Sequence, residues 1–268
     1  MTFYRLTEQQ KNDYKQNGYL LGLPAVFSNE EVEKLREELR ELEKLLVPGE
    51  QIIHIRDWHM KSKWIYDICT HPPILDYVEG ILGPEFFMWG TQFFGKAPHS
   101  KDTVAWHQDA YYWPLKPHNT VTVWLAFTDV DEANGAMQVI PGTHRAGLIK
   151  HRRIATDSIL TLELEEGAFD ASQAKSLCLQ AGQLSLHDDN IVHGSPANVS
   201  DRWRIGMTIR YSGINVRHTG GDDKLNIYMM RGEDAPGLNR QGQVPVERYA
   251  RLATDFHKGD EVVKPKTK

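Results

Sequence analysis

The spacing of apolar residues changes once along this chain, near residue 85, and that change governs what it can fold into. Before it, the spacing is helical. Thr7 with Gln10 and Ser28 with Glu31 form capping boxes, in which a hydroxyl and a side chain three residues on satisfy each other's backbone donors. Gly18 stops the first helix. Val32, Leu35, Leu39, Leu42 and Leu46 carry the second until Pro48-Gly49 ends it. A third helix is predicted from Pro72 or Pro73 to Leu82, with Gly83 after it. Beyond this point the runs are short and rich in β-branched and aromatic residues: Phe86 to Lys96, Thr120 to Val130, Ala136 to Ile140, Leu177 to Leu186 and Trp203 to Tyr211. Asn134-Gly135, Pro141-Gly142 and Ala181-Gly182 supply turns between them. The expectation is a mainly β protein with added helices. A helical layer over about 1–84 supports an antiparallel jelly roll over about 85–212, followed by an extension over 213–268.

No repeat or low-complexity linker divides the 268 residues, so a single domain is expected, with only the Lys-rich last few residues read as disordered. The net charge of −5 argues against a general nucleic-acid binder. No apolar run is long enough for a membrane span, and Met1 to Arg5 leads into polar sequence rather than a secretory signal. Cys69 and Cys178 fit neither a disulfide nor a metal pattern and are read as free thiols. These features together give the expectation of a cytoplasmic protein acting on a small molecule, with neither nucleic acid nor membrane as a partner.

Jelly rolls hold metals between their sheets, which directs attention to the histidines. With 12 of them, a His-x-Asp triplet is expected by accident, and two occur: His107-Gln108-Asp109 and His187-Asp188-Asp189. Context separates the two. The first lies where Val104-Ala105-Trp106 runs into a loop, and residues two apart on extended backbone project to one side. His193, in Ile191-Val192-His193-Gly194-Ser195, is placed to complete the set. Two imidazoles and a carboxylate on one face leave open positions opposite, the donor set of non-haem Fe(II) oxygenases. The rival pair, His187 and Asp189, has only His218 and His257 downstream. His187 is better read as a strand-end residue near the site.

Three further stretches carry a resemblance. Trp106 to Asp109, Val121 to Val130 and Asn134 to His144, followed by Val192 to Ser195 and the arginine-bearing strand, closely resemble the phytanoyl-CoA hydroxylase (phytanoyl-CoA dioxygenase) family from about Tyr19 to Tyr211. The resemblance implies a double-stranded β-helix, the cupin-like form of jelly roll, holding Fe(II) and 2-oxoglutarate and consuming O2. By position, it implies His107, Asp109 and His193 as iron ligands. Arg204 would pair with the distal carboxylate of 2-oxoglutarate, with Ser195 bonding the same carboxylate and Trp124 walling the cosubstrate site. Residue chemistry agrees for Arg204, whose planar fork matches a carboxylate as lysine cannot. Arg204, Gly206, Thr208 and Arg210 share one strand face, and Gly206 is expected to leave room for a ligand.

The activity implied is C–H hydroxylation coupled to oxidative decarboxylation of 2-oxoglutarate. Halogenases of this superfold lack the metal-bound carboxylate, which Asp109 supplies here. A zinc hydrolase would have no need of Arg204 and Ser195, and a non-catalytic metal-binding jelly roll would form no succinate with any substrate. For the substrate, the basic segment Ile55 to Lys63, with Arg56 and His59, is expected at the entrance. Together with Tyr112, Trp113 and Arg210 it would cage a small anionic or zwitterionic metabolite such as an aminoalkylphosphonate. The alternative is an acyl-CoA or another secondary metabolite.

Overall fold

The computed structural model describes residues 4–154, 160, 162–220 and 225–253, so the Lys-rich terminus and His257 lie outside the described residues. The predicted helices form as α1 (Glu8–Asn17), α2 (Asn29–Glu43) and α4 (Pro72–Leu82), both capping boxes being made. A further short helix, α3 (Lys63–Cys69), was not predicted. Helix α2 ends short of Leu46 because its last carbonyls turn to shorter-range bonds: Leu45 N–H donates to Leu42 and Leu46 N–H to Glu43. That turn keeps Leu46 against the core.

The strands are β1 (Tyr19–Leu20), β2 (Phe86–Lys96), β3 (Val104–His107), β4 (Leu115–Lys116), β5 (Thr120–Ala126), β6 (Gln138–Val139), β7 (His151–Arg153) and β8 (Leu162–Leu164). After them come β9 (Lys175–Ser176), β10 (Leu184–Asp188), β11 (His193–Ser195), β12 (Arg204–Gly213), β13 (Arg217–His218), β14 (Asn226–Arg231) and β15 (Arg240–Gln241). A seven-stranded sheet runs in the order β1-β10-β5-β12-β2-β14-β15, and a four-stranded sheet in the order β3-β11-β6-β9. These two sheets make the jelly roll. Only the end of the run Leu177 to Leu186, from Leu184, joins β10, and the run is divided at the Ala181-Gly182 turn signal. There Gly182 has φ +84°, and a Cβ would sit 2.3 Å from the Phe27 carbonyl oxygen. Part of the sequence beyond residue 212 belongs to the large sheet, because β14 pairs antiparallel with β2.

The large sheet is covered on both faces, and the strict alternation of strand side chains sorts its residues. On β12, Met207, Ile209 and Tyr211 join Val121, Val123 and Leu125 of β5 in a core shared with Leu39, Leu42, Trp64, Ile74 and Val78 from the helices. Each such fully buried side chain contributes about 1.5–3 kcal/mol. The residues in between, Arg204, Gly206, Thr208 and Arg210 on β12 and Thr122 and Trp124 on β5, face the interior of the roll. The helical layer therefore holds one face of the sheet rigid and leaves the other free for chemistry.

Candidate metal centre

Strands β3 and β11 pair so that His193 stands directly opposite His107. Opposed residues on neighbouring strands bring their side chains together, and the two imidazole centroids lie 4.1 Å apart. Asp109 opens a short 3₁₀ turn immediately after β3. Its Oδ1 is 3.5 Å from His107 Nε2 and 3.9 Å from His193 Nε2. One ligand atom from each of the three residues lies within 4.8 Å of the others. The ring orientations are fixed from behind. His107 Nδ1 lies 2.8 Å from the Ala105 carbonyl oxygen, and His193 Nδ1 lies 3.0 Å from that of Ile191. Each Nδ1–H therefore donates to backbone, and each Nε2 lone pair is left for a cation.

The electrostatics favour the protonation states that a metal needs. Burial raises the Asp109 carboxyl, but hydrogen bonding to His107 and His187, helped by the nearby imidazoles, outweighs it and holds the group well below the usual carboxylate range. Burial, then repulsion from His107, keeps His193 well below its ordinary value and hence neutral. Two neutral imidazole nitrogens and one ionised carboxylate oxygen suit Fe(II).

The rival pair is split by the fold. His187 does stand beside the centre, its Nε2 3.9 Å from Asp109 Oδ2 and its ring 5.0 Å from His193. Asp189 is directed elsewhere: Oδ1 accepts from Asn190 Nδ2 at 2.8 Å, and Oδ2 is 3.6 Å from His118 Nδ1.

Gln108, between the two β3-side ligands, went unnoticed in the sequence. Its Nε2 donates to the carbonyls of Asn190 (2.6 Å) and Gly147 (2.9 Å), and its Oε1 accepts from Ile149 N–H (2.7 Å). It ties the ligand-bearing loop to the segments before His193 and after β6. The one available signal was its position: pointing opposite to both ligands, it had to be buried in something.

The triad opens into a cavity of about 140 Å³, which is also lined by Arg204, Ser195, Trp124, Arg56, Tyr112 and Arg210. The Arg204 guanidinium carbon is 5.4 Å from the centroid of the Trp124 ring. Its Nη2 donates to the Gly135 carbonyl at 3.1 Å and is 3.4 Å from Ser195 Oγ. Burial pushes Arg204 down to about 10. The space over Gly206 is not free for a ligand as expected. A Cβ there would come within 2.2 Å of the Trp124 indole, so the glycine makes room for the aromatic wall.

His59 is not among the residues lining the cavity. Its side chain is buried, Nδ1 lying 3.0 Å from Thr91 Oγ1 and the ring standing edge-on to Tyr228. Burial, eased by Asp57 and reinforced by Arg210, takes it down to about 4. The segment around it is not an open basic loop, since Trp58 and His59 are both buried. Arg56 and Tyr112 do reach the cavity. Arg56 Nε is 3.5 Å from Asp57 Oδ2, and the Tyr112 hydroxyl donates to the Leu162 carbonyl at 2.9 Å.

The structure is similar to that of a non-heme monooxygenase, ThoJ in its apo form, at 30% identity over 89% of both chains with a TM-score of 0.74. Fold and donor set together define an Fe(II)- and 2-oxoglutarate-dependent dioxygenase with a two-histidine, one-carboxylate triad. The family model described as phytanoyl-CoA dioxygenase (PhyH) matches residues 14–206. This chain belongs to that family. Its relatives include the peroxisomal phytanoyl-CoA dioxygenase of Bos taurus, 25% identical over 240 residues, covering 80% of this chain and 70% of the relative. A probable alpha-ketoglutarate-dependent hypophosphite dioxygenase of Stutzerimonas stutzeri is 25% identical over 228 residues, covering 78% and 79%.

The expectation of a cytoplasmic protein is corrected by these relatives, since the bovine, human, rat and mouse proteins are peroxisomal. Among the described residues no helix is long and apolar enough to cross a membrane. That property is shared by proteins of many compartments and does not select one.

Proposed function

We propose that this dioxygenase hydroxylates an unactivated C–H bond of an acyl-CoA or another secondary metabolite, with Arg204, Ser195 and Trp124 seating the distal carboxylate of 2-oxoglutarate. The observation that carries the cosubstrate seat is a buried guanidinium in the same cavity as the triad, with its Nε unsatisfied. Among the described residues it forms no ion pair with a carboxylate. A buried arginine without a counter-ion is costly unless a ligand supplies one. The residues that would hold the metal are His107, Asp109 and His193. When bound, the iron with 2-oxoglutarate and O2 supplies the oxidation.

The chain supplies position and exclusion of water. The Arg204 fork orients a carboxylate bidentately, the Ser195 hydroxyl adds a donor beside it, and the Trp124 indole closes one side. Gln108 holds the loop that carries Asp109. Phe94, Trp113 and Met137 give the lining an apolar stretch against which an aliphatic chain can pack.

A zwitterionic substrate, and with it an aminoalkylphosphonate, finds little support. Asp109 is the only carboxylate among the described residues lining the cavity, and its oxygens serve the metal. No anion remains for an ammonium group. The relatives named for phytanoyl-CoA point instead toward acyl chains. The test is succinate release above the uncoupled background across acyl-CoA thioesters, free carboxylates and amino-phosphonates. Stimulation by amino-phosphonates alone would overturn the substrate assignment.

A further inference from the structure

A second buried guanidinium, that of Arg210, faces the same cavity and stands apart from the cosubstrate seat. Arg210 lies six residues beyond Arg204 on β12, on the same face, and is 7% exposed. Along the strand the two are separated by Thr208 and by the Trp124 indole seated over Gly206. Their surroundings differ. Arg204 has a carbonyl and a hydroxyl as partners, whereas Arg210 lies between two indoles, its guanidinium carbon 5.0 Å from the Trp113 centroid and 5.6 Å from that of Trp89. These two rings meet edge to face at 4.9 Å. The Trp89 ring is itself anchored, Nε1 donating to Ser212 Oγ at 2.9 Å.

Two indole faces stabilise a cation and leave its donors unused. Among the described residues the guanidinium makes one hydrogen bond, a long one from Nη2 to Gln92 Oε1 at 3.5 Å, and its Nε is buried without a partner. Among the described residues it pairs with no carboxylate, although Asp109 and Asp57 are near enough to be felt. Gly90 is shaped to this side chain, since a Cβ there would come within 3.2 Å of Arg210 Cδ and Nη1. The site is therefore built: a backbone gap for the arginine, two aromatic walls, and unspent donors toward the iron-bearing cavity.

We infer that Arg210, held between Trp89 and Trp113, is a recognition site for an oxyanion on the substrate, a carboxylate or phosphate group. The inference rests on the dioxygenase reading above and narrows it: the substrate carries negative charge at the end that enters this cavity. One five-carbon diacid spans on the order of 6 Å with C–C bonds of about 1.5 Å. The two arginine Cα atoms lie about 20 Å apart at a rise of about 3.3 Å per residue. With Thr208 and the Trp124 indole standing between the two arginines, a cosubstrate seated on Arg204 leaves Arg210 to a different molecule. The aliphatic part of the substrate would run along Phe94 toward the triad.

The test uses the anaerobic protein loaded with Fe(II) and 2-oxoglutarate, whose charge-transfer absorption is recorded first. Its absence would overturn the reading on which this inference rests. With the absorption present, hexanoate, hexyl phosphate and neutral hexanamide are titrated by calorimetry and tryptophan fluorescence. Saturable binding of either anion is expected, at least about tenfold tighter than hexanamide, because the amide cannot accept a charged bidentate pair. The preferred anion distinguishes a carboxylate from a phosphate source. Arg210→Met should lose at least about tenfold in anion affinity, and Arg210→Lys, which keeps the charge without the fork, should fall between. The ligand-free Arg210→Met protein should melt no lower than the parent, since it loses a buried charge that had no counter-ion. Equal binding of hexanamide, no anion binding, or unaltered affinity in both variants would overturn the proposal. So would loss of the charge-transfer absorption in Arg210→Lys, which would assign the arginine to the cosubstrate.

Discussion

Lys96 Nζ lies 2.7 Å from Ser195 Oγ, in the buried corner where Arg204 approaches the same hydroxyl at 3.4 Å. The lysine also donates to the carbonyls of Ser195 and Pro196. An ammonium only donates, so Ser195 Oγ must accept, and its own proton is left to point into the cavity. Burial, then repulsion from Arg204, takes Lys96 down to about 7. Lys96→Met should weaken 2-oxoglutarate binding roughly tenfold, about 1.4 kcal/mol, with iron affinity unchanged. The protonated lysine favours a bound carboxylate, so 2-oxoglutarate affinity should decline as pH rises through about 7, and Lys96→Met should abolish that slope. Anaerobic titrations of the charge-transfer absorption at several pH values would show both effects.

Arg204→Ala should cost roughly a hundredfold in 2-oxoglutarate affinity, about 3 kcal/mol, because it leaves the carboxylate buried without its partner. Arg204→Lys should fall between, keeping charge but not the fork. Iron binding should survive both changes. If Arg202→Ala weakens 2-oxoglutarate and Arg204→Ala does not, the cosubstrate seat is misassigned; Arg202 is paired at the surface with Asp131.

His107→Ala and His193→Ala should each abolish stoichiometric Fe(II) binding. Asp109→Ala should do far more harm than Asp189→Asn, since Asp109 Oδ1 lies within 3.9 Å of both ligand nitrogens while Asp189 faces His118. Metal analysis after gel filtration reads the difference directly. Full retention of iron by Asp109→Ala would refute the triad.

Gln108→Ala should leave the three ligands in place chemically but free the loop that carries Asp109. Three hydrogen bonds of about 1 kcal/mol each are removed. The expected signature is a lower melting temperature and faster iron loss to a chelator, with Gln108→Glu only partly rescuing, because a carboxylate cannot donate to the Asn190 and Gly147 carbonyls.

His59 makes stability depend on acidity. It titrates at about 4 in the folded chain and near 6.5 when unfolded. The unfolded state therefore binds more protons between these values, so stability falls as pH drops from about 6.5 toward 4, by up to about 1.4 kcal/mol per pH unit. Urea unfolding across this window should show the slope flattened in His59→Gln. An unchanged slope in that variant would place the effect elsewhere.

The particular residues show which properties were local. The capping pairs Thr7 with Gln10 and Ser28 with Glu31 act over three residues, and both helix starts fall where they place them. Strand Phe86–Lys96 is also read in full from its own composition. The triad was legible because two of its members are two residues apart on extended backbone. Its third member sits in a motif whose order the family resemblance supplies.

What escaped the sequence lies in contacts that span the chain. Lys96 reaches Ser195 across 99 positions, and Gln108 reaches Asn190 across 82. His59, expected at an entrance for its charge, is buried against Thr91, 32 positions away, and against the still more distant Tyr228. The space expected beside Gly206 belongs to Trp124 because strand register places that indole there. The sequence by itself determined the starts of the capped helices, the change from helices to strands and the donor set, since these depend on side-chain type and on spacing within a few residues. Only the tertiary structure decided which buried cations keep a counter-charge and which face the cavity without one, because strand pairing and burial act between residues that no local pattern connects.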